Sequence, residues 1–171
     1  MNERLYEEGK NEFSKLYVLV ENVLFIIQFI LAYLGMKVFK ISNIPLLSLI
    51  YIIFAMVMLV FILRKHLCAG CYYYGKWCHC GWGKLSSLMY KKDTGNIELG
   101  GKLAGMTWGV LMGVPLLVMI LAIIIRKVTF FEIAPILIPF IIVVMINGAM
   151  HAADCKKCKM RFVCPGSAAK K

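Results

Sequence analysis

Four long apolar runs constrain this chain more than anything else in it. Residues 16–36, 44–63, 103–125 and 133–150 are 21, 20, 23 and 18 residues long, and a helix needs about 20, within roughly 17–25, to cross the hydrocarbon core of a bilayer. The last three carry no Asp, Glu, Lys or Arg, and the first is interrupted only by Glu21, Asn22 and Gln28. Glu21 is placed at the watery end of its span, and Pro135 and Pro139 predict a kinked fourth span, since neighbouring helices can satisfy the carbonyls that a proline frees. The composition agrees. Apolar residues make up 61% and charged residues 17% of the 171, too few charges to cover a water-facing surface, and the mean hydropathy is +0.77. The sequence therefore predicts an all-α integral membrane protein with four transmembrane helices arranged as two tandem helical hairpins.

The divisions follow from the runs. Residues 1–15 form a leader, 16–63 a first hairpin, 64–102 a loop, 103–150 a second hairpin and 151–171 a basic tail. The leader carries Glu3, Glu7, Glu8 and Glu12 among its bases, unlike a cleaved signal peptide, so the first span is expected to be retained. A short amphipathic leader helix through Leu5, Phe13 and Leu16 is allowed, though Gly9 weakens it.

Charge sets the orientation. In a four-span chain the two termini and the middle loop share one face, and that face holds 16 of the 20 Lys and Arg; the other holds Lys37, Lys40, Arg126 and Lys127. Basic residues stay on the cytoplasmic side, which predicts a cell-membrane protein with both termini and the middle loop in the cytosol. The net charge of +11 is accounted for by this topology and by anionic headgroups, with no need of nucleic acid.

All seven cysteines fall on that face: Cys68, Cys71, Cys78, Cys80, Cys155, Cys158 and Cys164. In a reducing compartment such a cluster points to metal or redox chemistry rather than structural disulfides. The cysteines also repeat. Cys68 and Cys155 are 87 residues apart, as are Cys71 and Cys158, Lys15 and Lys102, Leu16 and Leu103, and Lys40 and Lys127, while Cys78 answers Cys164 with one residue deleted. Two copies of a hairpin followed by a Cys-x-x-Cys would share one topology and bring both clusters together about an axis along the membrane normal.

A Cys-x-x-Cys turn lets two thiolates reach one metal at about 2.3 Å. Here each is followed by a third Cys and preceded by a histidine, His66 or His151. Three partitions of the ligands stay open. Each half can use three cysteines and its histidine, leaving His79 and Cys80 spare; Cys68, Cys71, Cys155 and Cys158 can close one site across the halves; or Cys80 can complete the first site. His66 and His151 also suit helix C-termini, where the dipole favours a cation. Zinc is the expected metal, with an Fe–S cluster as the alternative and a metal-free dithiol behind both. A metal also answers a physical need, because segments of 39 and 21 residues bury too little core to hold a shape unaided.

The other features are explained by the bilayer. Tyr72, Tyr73, Tyr74, Trp77 and Trp82 suit a headgroup belt. Lys84, Lys91 and Lys92 around Leu85, Leu88 and Met89 predict a short interfacial helix on anionic lipid. Met56, Met58, Met112 and Met119 read as core or lipid-facing residues. Gly105, Gly109 and Gly113 read as a close helix contact, within the bundle or between copies. Gln28 and Asn147 read as interhelical hydrogen-bonding groups. Spans two to four lack the paired ionisable groups of a transporter, and the phosphate-loop, His-Glu-x-x-His and serine-nucleophile patterns are missing.

Three function classes fit these residues. The first is a non-enzymatic subunit whose cytosolic metal module docks an acidic protein or joins a larger membrane complex. The second is a redox protein passing electrons through Fe–S clusters to a quinone or partner. The third is a thiol:quinone oxidoreductase, because a four-span bundle with a Cys-x-x-Cys at the membrane surface resembles the quinone-linked disulfide-forming enzymes, including the vitamin K epoxide reductase type. That resemblance is architectural. It implies reactive cysteines on the oxidising side, whereas the charge count here places them in the cytosol.

Overall fold

The computed structural model describes residues 5–40 and 43–169, so Arg4, Lys170 and Lys171 of the charge count lie outside them. Five helices and no strand are formed among these residues: α1 (Lys15–Met36), α2 (Leu46–Cys68), α3 (Trp82–Met89), α4 (Ile97–Ile125) and α5 (Phe130–Lys156). All but α3 are long and apolar enough to cross a membrane. Local chemistry starts them. Ser14 Oγ accepts from Tyr17 N at 3.3 Å and Asn96 Oδ1 from Leu99 N at 2.9 Å, while Thr129 and Glu132 form a capping box at α5, each satisfying amides that the first turn leaves free. Gly81, at φ +73°, admits the left-handed turn into α3.

The helix ends depart from the apolar runs. α5 continues six residues past Met150, which puts His151, Asp154 and Cys155 inside a helix rather than in a tail. α2 runs on through Arg64 to Cys68, and it does so as a π-helix over Val57–Ile62 and Arg64–Cys68. The described part of the leader, residues 5–14, makes a turn closed by Gly9 N on Tyr6 O at 3.0 Å and no helix. Tyr6 N and Lys10 N donate to Lys159 O and Lys157 O at 2.9 and 2.8 Å, and a Cβ on Gly9 would come within 2.7 Å of Lys159 N. The contact with the tail outweighs any weak helical preference.

Packing runs across the halves. α1 lies along α5 and α2 along α4, each more extensively than the consecutive helices α1 and α2 or α4 and α5 contact each other. The core is built from Ala32, Met36, Tyr51, Leu63, Leu111, Met119 and Phe140, while Leu19, Ile26, Ile53, Ile124 and Met145 point outward. Pro115 lacks the amide that would bond Leu111 O four residues earlier. Tyr51 OH takes that place at 2.9 Å. Asn147 Nδ2 donates to Gln28 Oε1 at 2.8 Å between α5 and α1, the interhelical role read from their positions in the spans.

One further expectation loses one of its two alternatives and another is corrected. A Cβ added at Gly105, Gly109 or Gly113 would meet nothing within 4 Å, so this stripe makes no close contact within the chain. Tyr73 is only 1% exposed and belongs to an interior cluster with Phe13 and Val18, not to a headgroup belt. The short helix α3 does form, with Leu85, Leu88 and Met89 exposed.

Candidate metal centre

Leader, middle loop and tail meet at one end of the bundle. Arg126 over Phe39, 5.5 Å from the ring centre, brings the two short connections together at the other. The leader donates Phe13 N to Trp77 O at 2.9 Å and lies on the tail as described. At this end Glu21 is not at a watery margin. It is 1% exposed, and its Oε1 accepts from His79 Nδ1 at 2.8 Å and lies 3.6 Å from Cys80 Sγ. A carboxylate taken out of water needs a compensating charge or ligand.

Donors from three elements converge on one imidazole nitrogen. Around His79 Nδ1 stand Glu21 Oε1 from α1 at 2.8 Å, Cys80 Sγ from the loop at 3.1 Å and Asp154 Oδ2 from α5 at 3.7 Å. Donors of Glu21, His79 and Cys80 lie within 4.8 Å of one another, the one such group of metal-competent side chains among the described residues. Bonds of 2.0–2.3 Å to a tetrahedral ion separate its donors by about 3.3–3.6 Å. The edges among Glu21, His79 and Cys80, 2.8 to 3.6 Å, bracket that range, while Asp154, 3.7 Å from His79 Nδ1, lies outside the 4.8 Å group and would have to move in to join it. Glu21 Oε2 is buried without a hydrogen-bond partner, a second free oxygen at the same place.

An outer layer orients these donors. Tyr17 OH donates to Asp154 Oδ2 at 2.8 Å, and Asn22 Nδ2 donates to Cys80 O at 3.1 Å. The His151 ring lies 5.4 Å from that of His79, and its Nε2 faces Cys155 Sγ at 3.6 Å and Gly166 O at 3.4 Å. Burial pushes the Cys80 thiol well above its ordinary pKa, and the Glu21 charge adds to the effect. Without a cation this sulfur keeps its proton; a bound metal supplies the charge that removes it.

The other candidate ligands form no second group at that spacing among the described residues. His66 Nδ1 accepts from Asn96 N at 3.3 Å, so it caps the approach to α4. Cys68 ends α2, while Cys71 and Cys78 pack against the cluster of Phe13, Val18 and Tyr73. Cys155 pairs with His151. Cys158 lies beside Tyr73 in the interior cluster and accepts from Met160 N at 3.4 Å, and the Cys158 thiol is pushed up to about 11, chiefly by burial. Neither the three-cysteine-and-histidine sets nor the four paired knuckle cysteines are gathered to 4.8 Å. The sequence reading set His79 aside and omitted Glu21 and Asp154. A carboxylate interrupting the first apolar run, 58 positions from His79, was the one available signal.

No protein family, curated protein or solved structure matches this chain.

Proposed function

We propose that this protein is a multi-pass membrane protein that holds a zinc ion at the cysteine-rich end of its bundle, through Glu21, His79 and Cys80 with Asp154 as the fourth donor. The convergence of these donors on His79 Nδ1 carries the reading. A mixed carboxylate, imidazole and thiolate set suits zinc better than an Fe–S cluster, which favours thiolates throughout. With Asp154 drawn in, four protein donors would close the site, the mark of structural rather than catalytic zinc. The ion would clamp α1, the middle loop and α5, which supports a non-enzymatic subunit or docking module over an enzyme.

The 16 to 4 distribution of Lys and Arg supports placing this end in the cytosol of a cell-membrane protein, next to anionic headgroups, where its positive surface would favour an acidic partner. The cross-half packing of α1 on α5 and α4 on α2 supports the duplicated-hairpin reading, because a two-fold axis equates these two contacts.

Zinc per chain in detergent-purified protein tests the proposal. One zinc is expected, with Glu21→Gln, His79→Gln and Cys80→Ser each losing most of it, since metal binding and the order of so small a segment are coupled. Unchanged zinc in His79→Gln would overturn the site. Labelling of the cysteines by an impermeant thiol reagent in intact cells would overturn the orientation.

A further inference from the structure

We infer that Cys68, Cys71, Cys78 and Cys164 form a second, all-thiolate centre built to hold a four-iron, four-sulfide cluster. The inference does not depend on the zinc reading, because it uses other side chains and rests on other contacts.

The start of α4 serves as a ruler for two of the four. A Cβ on Gly100 would meet the backbone of His66 and Leu67 at 2.8 Å, and one on Gly101 would collide with the ring of Pro165. The residue before Cys68 and the residue after Cys164 therefore rest on successive positions of one helical turn, and glycine is needed at both. Cys71 N donates to Cys68 O at 3.2 Å and Tyr74 N to Cys71 O at 3.0 Å, which closes the Cys-x-x-Cys into a tight turn. Cys78 has two amides at hand: Gly81 N donates to its carbonyl at 2.9 Å and Gly83 N to its sulfur at 3.4 Å. Amides aimed at sulfur favour a thiolate and tune a cluster held by it.

Charge agrees with this grouping without defining it. The Cys71 thiol, raised well above its ordinary range by burial, is raised further by the charges of Cys68, Cys78 and Cys164. Beside them lies Arg64, 8% exposed, stacked 5.5 Å from the Trp82 ring with its Nε donating to Leu59 O. Among the described residues no carboxylate lies within ion-pair distance of it. The groups near it that can carry negative charge include Cys68, Cys78 and Cys80. A buried guanidinium is costly without a counter-charge, and thiolates on a cluster provide one.

Spacing selects the cofactor. Zinc would draw its sulfurs to about 3.8 Å apart, yet among the described residues no three cysteine sulfurs lie within 4.8 Å of one another. A cluster several atoms across needs the wider frame. Of the remaining cysteines, Cys80 lies against Glu21 and His79, Cys155 faces His151, and the Cys158 sulfur accepts from Met160 N at 3.4 Å.

The test uses the full chain, purified in detergent without air and reconstituted with ferrous iron and sulfide. About four irons and four sulfides per chain are expected, with a broad absorbance at about 400 nm that dithionite bleaches. Cys68→Ser, Cys71→Ser, Cys78→Ser and Cys164→Ser should each lose most of that absorbance while eluting as the parent does on size exclusion; Cys158→Ser and His79→Gln should keep it. A chain that stays colourless after reconstitution overturns the cluster even if its zinc depends on His79. Equal loss in Cys158→Ser and Cys164→Ser overturns the assignment of the four ligands. A coloured chain whose zinc is indifferent to His79→Gln supports the cluster and overturns only the zinc site.

Discussion

Cys68 and Cys155 stand 87 positions apart and each opens a Cys-x-x-Cys, yet the two segments have become different objects. The first has small residues, Ala69 and Gly70, between its thiols, and Ala69 is fully buried. Its chain turns tightly, and Ala69 O accepts from Asp93 N at 3.0 Å. The second has Lys156 and Lys157 there, both exposed. Helix α5 runs through Cys155, whose sulfur faces His151, and Cys158 emerges beside Tyr73. Equal spacing gives both segments the capacity for a metal turn. What lies between and around the thiols decides whether they point at a common centre.

The largest effect should separate the segments at their glycines. A Cβ on Gly83 would overlap the carbonyl of Tyr73 and come within 2.9 Å of Lys76 O, whereas one on Gly166 would meet nothing within 4 Å. Gly83→Ala is expected to cost at least about 3 kcal/mol, because backbone must move to make room, and Gly166→Ala less than about 0.5 kcal/mol. Thermal unfolding in detergent reads both; equal midpoints would remove the contrast.

A smaller effect is expected where the segments touch. Tyr73 OH donates to Lys10 O at 2.5 Å and accepts from Lys159 N at 3.1 Å, tying loop, leader and tail at one atom. Tyr73→Phe strands two backbone groups and should cost about 1–3 kcal/mol. Tyr72→Phe loses only an exposed bond to Asn11 and should be nearly silent. Protease cutting within the leader, followed over time, would show whether the tie is lost.

The smallest effect is a pH dependence of the metal-free protein. Cys158 rises in the folded chain from an ordinary value of 9.0 to about 11, so folding favours its protonated form. Its contribution is complete below pH 9 and is lost as pH climbs toward 11, because the unfolded thiol ionises first. The unfolding midpoint should therefore fall across that window, and Cys158→Ala should flatten part of the fall. Cys71, Cys78 and Cys80 are pushed the same way by burial and account for the remainder. A midpoint that rises above pH 9 would contradict this burial.

The spans were legible because hydrocarbon imposes a length, and the short helix around Leu88 because its charges and apolar residues alternate at helical spacing. The helix ends were harder. A hydropathy run stops at Met150, but backbone hydrogen bonding has no reason to stop there, and the six extra residues carry Asp154 to His79. The metal group was least legible, since Glu21, His79 and Asp154 become neighbours only through packing of α1 on α5 and of the loop on both. Asn147 and Gln28 could be read in advance because an amide in hydrocarbon must find a partner nearby.

The pairing of leader with tail has a consequence in time. Lys159 Nζ donates to Glu7 O across 152 positions, so Glu7 leaves the ribosome well before its partner. At 5–20 residues per second that interval is roughly 8–30 s. For the first part of it Phe13 lacks its cover from Tyr73 and Glu21 lacks His79, and almost to its end His79 lacks Asp154, so this end of the bundle closes only when the tail arrives.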